Sequence, residues 1–349
     1  MTDIHISSTK LPPVFKRYRP HIELALRERL DNYKSPLYGM LRYSMGWADA
    51  YGKSLTGTTG KTLRPILCLY ACEATGSDYQ IALPSAAALE FIHNFSLIHD
   101  DIQDRDELRH HKPTLWKLWG DAKAIVAGNS LRIIADSAVI DMESSAENSQ
   151  DLVTVAGLLT EAYLEMIEGQ YLDMAYETQQ EISLQAYLAM ISRKTGALIR
   201  CAMNVGAAIS TSDRKVVDSF RKCGQSLGYV FQIRDDVLGV WGSEKAIGKP
   251  VGADIKRKKK SLPAVYAMTK ASGEAKKTLV RKYTKNDLTA NDIARVLEIM
   301  EDVGVREYAN KLAGKHCENA MEHLSEVEMS DESRKDIEDI AHFLLVRDH

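Results

Sequence analysis

The sequence predicts an all-α protein, and three observations carry that reading. Its nine prolines are unevenly placed, with none between Pro113 and Pro250. That interval lacks the residue that breaks helices and is rich in Ala, Leu, Met and Glu, which favour them. Apolar residues recur at three- and four-residue spacing, as in LEFIHNFSLIHDD and LLTEAYLEMIEGQYLDMAY, whereas sustained alternation and Asn-Gly hairpin signals are lacking.

Taken in order, residues 1–12 read as a polar N-terminal tail, with no apolar run behind a basic start and so no signal peptide. Residues 13–349 read as one domain, since no composition shift marks a linker and no repeat recurs. The stretch LCLYACEA sets Cys68 and Cys72 one helical turn apart. With Cys201, Cys223 and Cys317 they form an odd, scattered set, which suits core packing in a reducing compartment better than disulfides or zinc. The two long stretches quoted above are apolar on most sides, so they are expected to be buried helices of a large bundle. KASGEAKK and SEVEMSDESRKD read as surface turns. No run of about 18 uncharged apolar residues occurs, so no membrane span is expected, and the location is expected to be cytoplasmic. The formal net charge of −3 gives no global attraction to nucleic acid, and the basic run KRKKK lacks interleaved aromatics.

The chemistry concentrates in two acidic clusters. In SLIHDDIQDRDELRHHKPT, Asp100 and Asp104 are four apart at the end of an apolar helix and share a face, with Asp101 beside them. Carboxylates so placed repel one another and call for a cation, and hard oxygen donors suit Mg²⁺. In VFQIRDDVLGVW a second pair, Asp235 and Asp236, again follows an apolar stretch, and burying it is costly without compensation. Either cluster alone would be read as a solvated helix end. Together they can clamp a diphosphate through metals, which favours ionisation of a diphosphate ester. Lys61, Arg64, Lys194, Lys249 and the run Lys256–Lys260 are candidate cationic donors, although any one of them alone reads as surface charge.

These segments, in this order, resemble the trans-isoprenyl diphosphate synthases, or polyprenyl synthetases. The resemblance covers about Lys61 to Pro263: GKTLRP, LEFIHNFSLIHDDIQD, LRHHKPT, EGQYLDM, KTGALI, FQIRDDVLG, GKPVGADI and KKKSLP. It implies ten or more mostly antiparallel helices around a central cavity, usually in a homodimer. It implies three Mg²⁺ held by Asp100, Asp101, Asp104, Asp235 and Asp236 or their close partners. By position, Arg109, Lys194, Gln232, Lys249 and Lys259 would contact an allylic diphosphate. Thr195 would line the reaction site, while Lys61, Arg64 and His93 would hold isopentenyl diphosphate. The implied reaction is ionisation, condensation and elimination, without a protein nucleophile.

The chain departs from the pattern at four positions. Gly239 stands where most relatives have the third Asp of the second motif, as in a geranylgeranyl diphosphate synthase-like branch, so one ligand or water-mediated contact is expected to be missing. His110 replaces an Arg that contacts isopentenyl diphosphate, which predicts weaker binding of that substrate. Thr59 and Lys258 replace glycines, with modest effects expected. These departures leave room for a terpene cyclase on the same scaffold. A non-catalytic partner subunit is a more distant alternative, opposed by the intact first cluster. Phe95, with the small Ser96 beside it, is placed as the floor of the chain cavity, which predicts a product of farnesyl to geranylgeranyl length with the longer favoured.

Overall fold

The computed structural model describes residues 11–55, 62–144, 149–242 and 251–347. Helices follow one another as α1 (Pro13–Asp31), α2 (Pro36–Ser44), α3 (Leu63–Ala74), α4 (Leu83–Gln103), α5 (Leu115–Trp119), α6 (Asp121–Ile140) and α7 (Ser149–Glu177). Then come α8 (Leu184–Ile191), a π-helical turn (Ser192–Gly196), α9 (Ala197–Ser210), α10 (Arg214–Trp241) and the short α11 (Ala253–Lys256). The chain closes with α12 (Leu262–Lys270), α13 (Gly273–Thr284), α14 (Ala290–Asp302), α15 (Val305–His323) and α16 (Asp331–Val346). The all-α expectation holds. Among the described residues, extended pairing is limited to an isolated Ala48–Ser54 bridge and one hairpin, β1 (Leu108–Arg109) with β2 (Lys112–Pro113).

That hairpin escapes the usual sequence signal. Its two turn residues, His110 and His111, have φ of 49° and 62°, the left-handed pair that a two-residue hairpin requires. Asn-Gly is the common solution, and histidine is among the side chains that tolerate this region.

Local chemistry explains the helix boundaries. Pro13 opens α1 at a position where its missing N–H costs nothing. The Asp213 carboxylate accepts from Lys215 N at 2.8 Å and caps α10. The two expected surface turns separate α12 from α13 and α15 from α16.

The bundle is built around α4 and α10. α4 packs along α6 and against α3, while α10 lies between α9 and α15, and α7 closes on α9. The stretch Tyr79–Gln103 is long and apolar enough to cross a membrane by length and composition, but here it packs as a core helix and ends in Asp100 and Asp101. Leu89, Phe91 and Ile92 of α4 are fully buried. The five cysteines are free, and Cys68, Cys72, Cys201 and Cys223 are buried, as their apolar neighbours predict.

Candidate active site

The first acidic cluster closes α4 at a cavity of about 350 Å³ that Asp100 lines, and α10, which carries the second cluster, contributes Phe231 and Gln232 to the same cavity. Its polar side carries Asp100, Lys194, Thr195 and Gln232, and its apolar side Phe95, Met166 and Leu198. Arg64, His93, Ser96 and Phe231 also line it, so the two expected diphosphate regions share a single space. Lys61 and Lys249, together with Thr59, fall outside the described residues.

The first cluster divides into two kinds of carboxylate. Asp101 is buried and paired with Arg109, whose Nε and Nη2 lie 2.9 and 2.8 Å from Asp101 Oδ1. β1 delivers Arg109 to this position. Asp100 and Asp104 have no side-chain hydrogen bond among the described residues. Burial pushes the Asp100 carboxyl up to about 6, and its like-charged neighbours Asp104 and Asp173 add to this against the pull of Lys194 and Arg109. Asp104 is raised by burial as well.

The second cluster divides the same way. Asp236 is 1% exposed and its two oxygens meet four donors. Gln232 Nε2 at 3.0 Å and Lys259 Nζ at 3.5 Å face Oδ1, while the Tyr187 hydroxyl and Leu262 N (2.7 Å) donate to Oδ2. Such an occupied carboxylate differs from the open metal ligand that its motif position suggested. Four donors answer the cost of burying it. Asp235, by contrast, is exposed and touches only Arg347 Nη2, at 3.2 Å, among the described residues. Arg347 is buried on the Phe231 ring, 4.1 Å from its centroid, and donates to Phe231 O at 2.9 Å.

Lys194 and Thr195 occupy the π-helical turn, an irregularity that recurs at functional sites. Lys194 Nζ lies 2.5 Å from Asp173 Oδ2, and Thr195 Oγ1 donates to Gln232 Oε1 at 2.6 Å. Thr195, Gln232, Asp236 and Lys259 thus form one connected chain of polar contacts. His93 is held neutral, well below the usual imidazole range, by burial and by the charges of Arg64 and Arg109. Burial also lowers Arg64, to about 10, so it remains a cation at neutral pH. Its Nε is buried without a partner among the described residues.

The basic run is not a free surface patch. Arg257 pairs with Asp106 at 2.7 Å, Lys258 donates to Asn286 O at 3.0 Å, and Lys260 donates to Gln180 O at 3.2 Å. His110 sits exposed at the tip of the hairpin and is not a wall of the cavity.

Four residues of this constellation were not singled out in the sequence. Asp173 and Asp254 lay inside EGQYLDM and GADI, two motifs already recognised, but as unremarked members. Tyr187 and Arg347 had no local signal. Asp254 accounts for Gly239: a Cβ on Gly239 would lie 2.2 Å from Asp254 Oδ2. A carboxylate from α11 therefore occupies the space that a side chain at 239 would claim, and Lys259 Nζ is 3.8 Å from it.

Residues 46–300, well over half of the chain, match the model of the family described as Polyprenyl synthetase. The chain belongs to the polyprenyl synthetase family. It is similar to a (2E,6E)-farnesyl diphosphate synthase of Mycobacterium tuberculosis, 33% identical over 92% of this chain and 88% of the relative. It is also similar to a geranylgeranyl diphosphate synthase of Saccharolobus solfataricus, 34% identical over 93% of this chain and 98% of the relative. Among solved structures, a polyprenyl synthetase from Streptomyces coelicolor A3(2) superposes with a TM-score of 0.89 at 33% identity, covering 95% of this chain and 99% of that one. The fold and family make this polyprenyl synthetase an enzyme of prenyl transfer.

In this polyprenyl synthetase the raised Asp100 has a stability consequence. Its folded carboxyl titrates about two units above the ordinary aspartate value, so the folded state binds that proton more tightly than the unfolded chain. Stability from this group therefore falls as pH rises from 4 through 6, in the absence of metal. Asp100→Asn is expected to stabilise the metal-free protein near pH 7.5 by about 2 kcal/mol, and the gain should shrink towards pH 4. Denaturant unfolding of both proteins across that range checks the sign. A gain that does not depend on pH would refute it.

Proposed function

We propose that this polyprenyl synthetase condenses isopentenyl diphosphate with an allylic diphosphate to make a medium-length all-trans prenyl diphosphate. The observation that carries this reading is the single cavity joining two charged regions: Arg64 and His93 in one, Asp100, Lys194 and Gln232 in the other. An enzyme that only ionised one diphosphate would have no use for the first. The cationic Arg64, whose buried Nε has no partner among the described residues, supports an anionic occupant there.

The donor set fits Mg²⁺. Among the described residues no three His, Cys, Asp or Glu side chains form a ready cage. Mg²⁺ needs none, since it takes one or two carboxylates and completes its shell with water and phosphate. Asp100 and Asp104, which have no side-chain hydrogen bond among the described residues, and the exposed Asp235, which meets Arg347, would hold it, while Asp101 and Asp236 orient Arg109, Gln232 and Lys259. The resemblance implies three ions. When bound, the metal neutralises charge on the leaving diphosphate.

The protein's own residues do the rest. Lys194, Arg109 and Lys259 face the leaving group and favour breaking its C–O bond. Arg64 and neutral His93 orient isopentenyl diphosphate so that its double bond forms the new C–C bond with the allylic cation. The departed diphosphate takes the proton that is then lost. Phe95, Met166 and Leu198 exclude water from the cation, and the chain grows along them.

Purified protein with Mg²⁺, labelled isopentenyl diphosphate and dimethylallyl, geranyl or farnesyl diphosphate in turn tests the proposal. Longer prenyl alcohols after dephosphorylation, dependent on isopentenyl diphosphate, are expected. Hydrocarbons formed without it would mean a cyclase instead, and no turnover of any pair would indicate a partner subunit. His110→Arg is expected to lower KM for isopentenyl diphosphate by about three- to tenfold, because a guanidinium can donate a bidentate pair of hydrogen bonds to a diphosphate. An unchanged KM would separate His110 from that substrate.

We also propose a homodimer. Ile125, Ile133 and Ile140 of α6 and Val153 and Leu164 of α7 expose apolar side chains on adjacent helices, the composition of an interface core. Sedimentation at the monomer mass would refute it.

A further inference from the structure

Phe95 lines the cavity and does not stand alone. The Phe95 ring meets Tyr163 of α7 edge-to-face, with centroids 5.5 Å apart, and meets His99 in the same way at 4.6 Å. Tyr163 does not line the cavity, but touches it through its contact with the lining residue Phe95. The Arg132 guanidinium of α6 lies 4.7 Å from the centroid of the Tyr163 ring. Arg132 is in turn paired with Asp136 one turn along, its side chain is 15% exposed, and its Nε is buried without a partner among the described residues.

We propose that Tyr163, backed by Arg132, is a second specificity-determining stop that limits chain length once Phe95 is passed. This rests on the elongation reading above. Phe95 is gripped by rings from its own helix and from α7, so it is a rigid obstacle to the tail of a growing chain. Removing its ring frees space on the order of one five-carbon unit. A tail that fills this space then meets the Tyr163 ring. Beyond that ring it meets a guanidinium and a carboxylate, whose burial under hydrocarbon is costly without new partners. The stop is therefore graded, apolar first and charged second, and is built from three helices rather than from α4 alone.

The test uses full-length protein carrying Phe95→Ala, Phe95→Ala with Tyr163→Ala, and Phe95→Ala with Tyr163→Leu. The leucine variant keeps apolar bulk should the double alanine fail to fold. Product length is read with isopentenyl diphosphate and farnesyl diphosphate. In parallel, affinity is read for unreactive thio-analogues of farnesyl, geranylgeranyl and geranylfarnesyl diphosphate. Phe95→Ala should extend the main product by about one unit and then stop. The double variants should raise the share of still longer products, and the affinity for the longest analogue, by about tenfold over Phe95→Ala. If Phe95→Ala alone gives open-ended products, or if the double variants match it in both readouts, the second stop does not exist. Should the parent fail to elongate, the elongation reading falls, while the analogue affinities still report whether Tyr163 limits the cavity.

Discussion

Alanine at Gly169 is expected to lower kcat/KM for prenyl transfer by about a hundredfold or more. Gly169 is where α7 crosses the π-helical turn, and a Cβ there would lie 2.1 Å from Lys194 N and 2.5 Å from Lys194 Cα. Both are backbone atoms, so no side chain can rotate away, and the turn itself must shift. That turn carries Lys194 against Asp173 and Thr195 against Gln232. Displacing a positioned catalytic group by about 1 Å costs on the order of a hundredfold. Overpacking of this kind also costs about 1–3 kcal/mol of stability. The readouts are kcat/KM and denaturant unfolding. If the damage runs through Lys194, the double variant with Lys194→Ala should be no worse than Lys194→Ala alone. Full activity in Gly169→Ala would mean that the turn does not position the site.

The second large effect runs against what the sequence resemblance implies. Installing at position 239 the aspartate that this resemblance leads one to expect should lower activity here by about tenfold or more, not improve it. The new Cβ would overlap the Asp254 carboxylate, at 2.2 Å from Oδ2 and 2.5 Å from Cγ. Asp254 is mostly buried, and a second carboxylate beside it adds like-charge repulsion in a shielded place. Lys259, which bridges Asp254 and Asp236, would be drawn out of position. Gly239→Ala separates the steric part from the charge. Adding Asp254→Ala to Gly239→Asp should recover part of the loss, because it removes both the overlap and the repulsion. A Gly239→Asp variant as active as the parent would show that Asp254 does not fill this space.

Gly239 also marks a limit of sequence reasoning. It reads as a lost carboxylate, yet the structure brings one to the same place from α11. Proximity between positions 239 and 254 follows from the packing of α11 against α10 and is not encoded in either motif.

Much of the architecture was legible in the sequence. The proline-free interval and the helical spacing of apolar residues specify an all-α bundle, because those patterns bury surface only as helices. The helix-end aspartates, the KTGALI and FQIRDD segments and Arg64 were each identifiable, and the fold brings Arg64, Asp100, Lys194, Thr195 and Gln232 to one cavity. Tertiary structure alone decided what each carboxylate does. Asp100 and Asp101 are adjacent in sequence, but β1 sends Arg109 to one and leaves the other open. Asp235 and Asp236 are adjacent too, but Tyr187, Leu262 and Lys259 converge on one and Arg347 reaches the other. Periodicity states which face of a helix a side chain occupies. It does not state which partner, tens or hundreds of residues away, will be packed against that face, and burial and partnership set both charge and role.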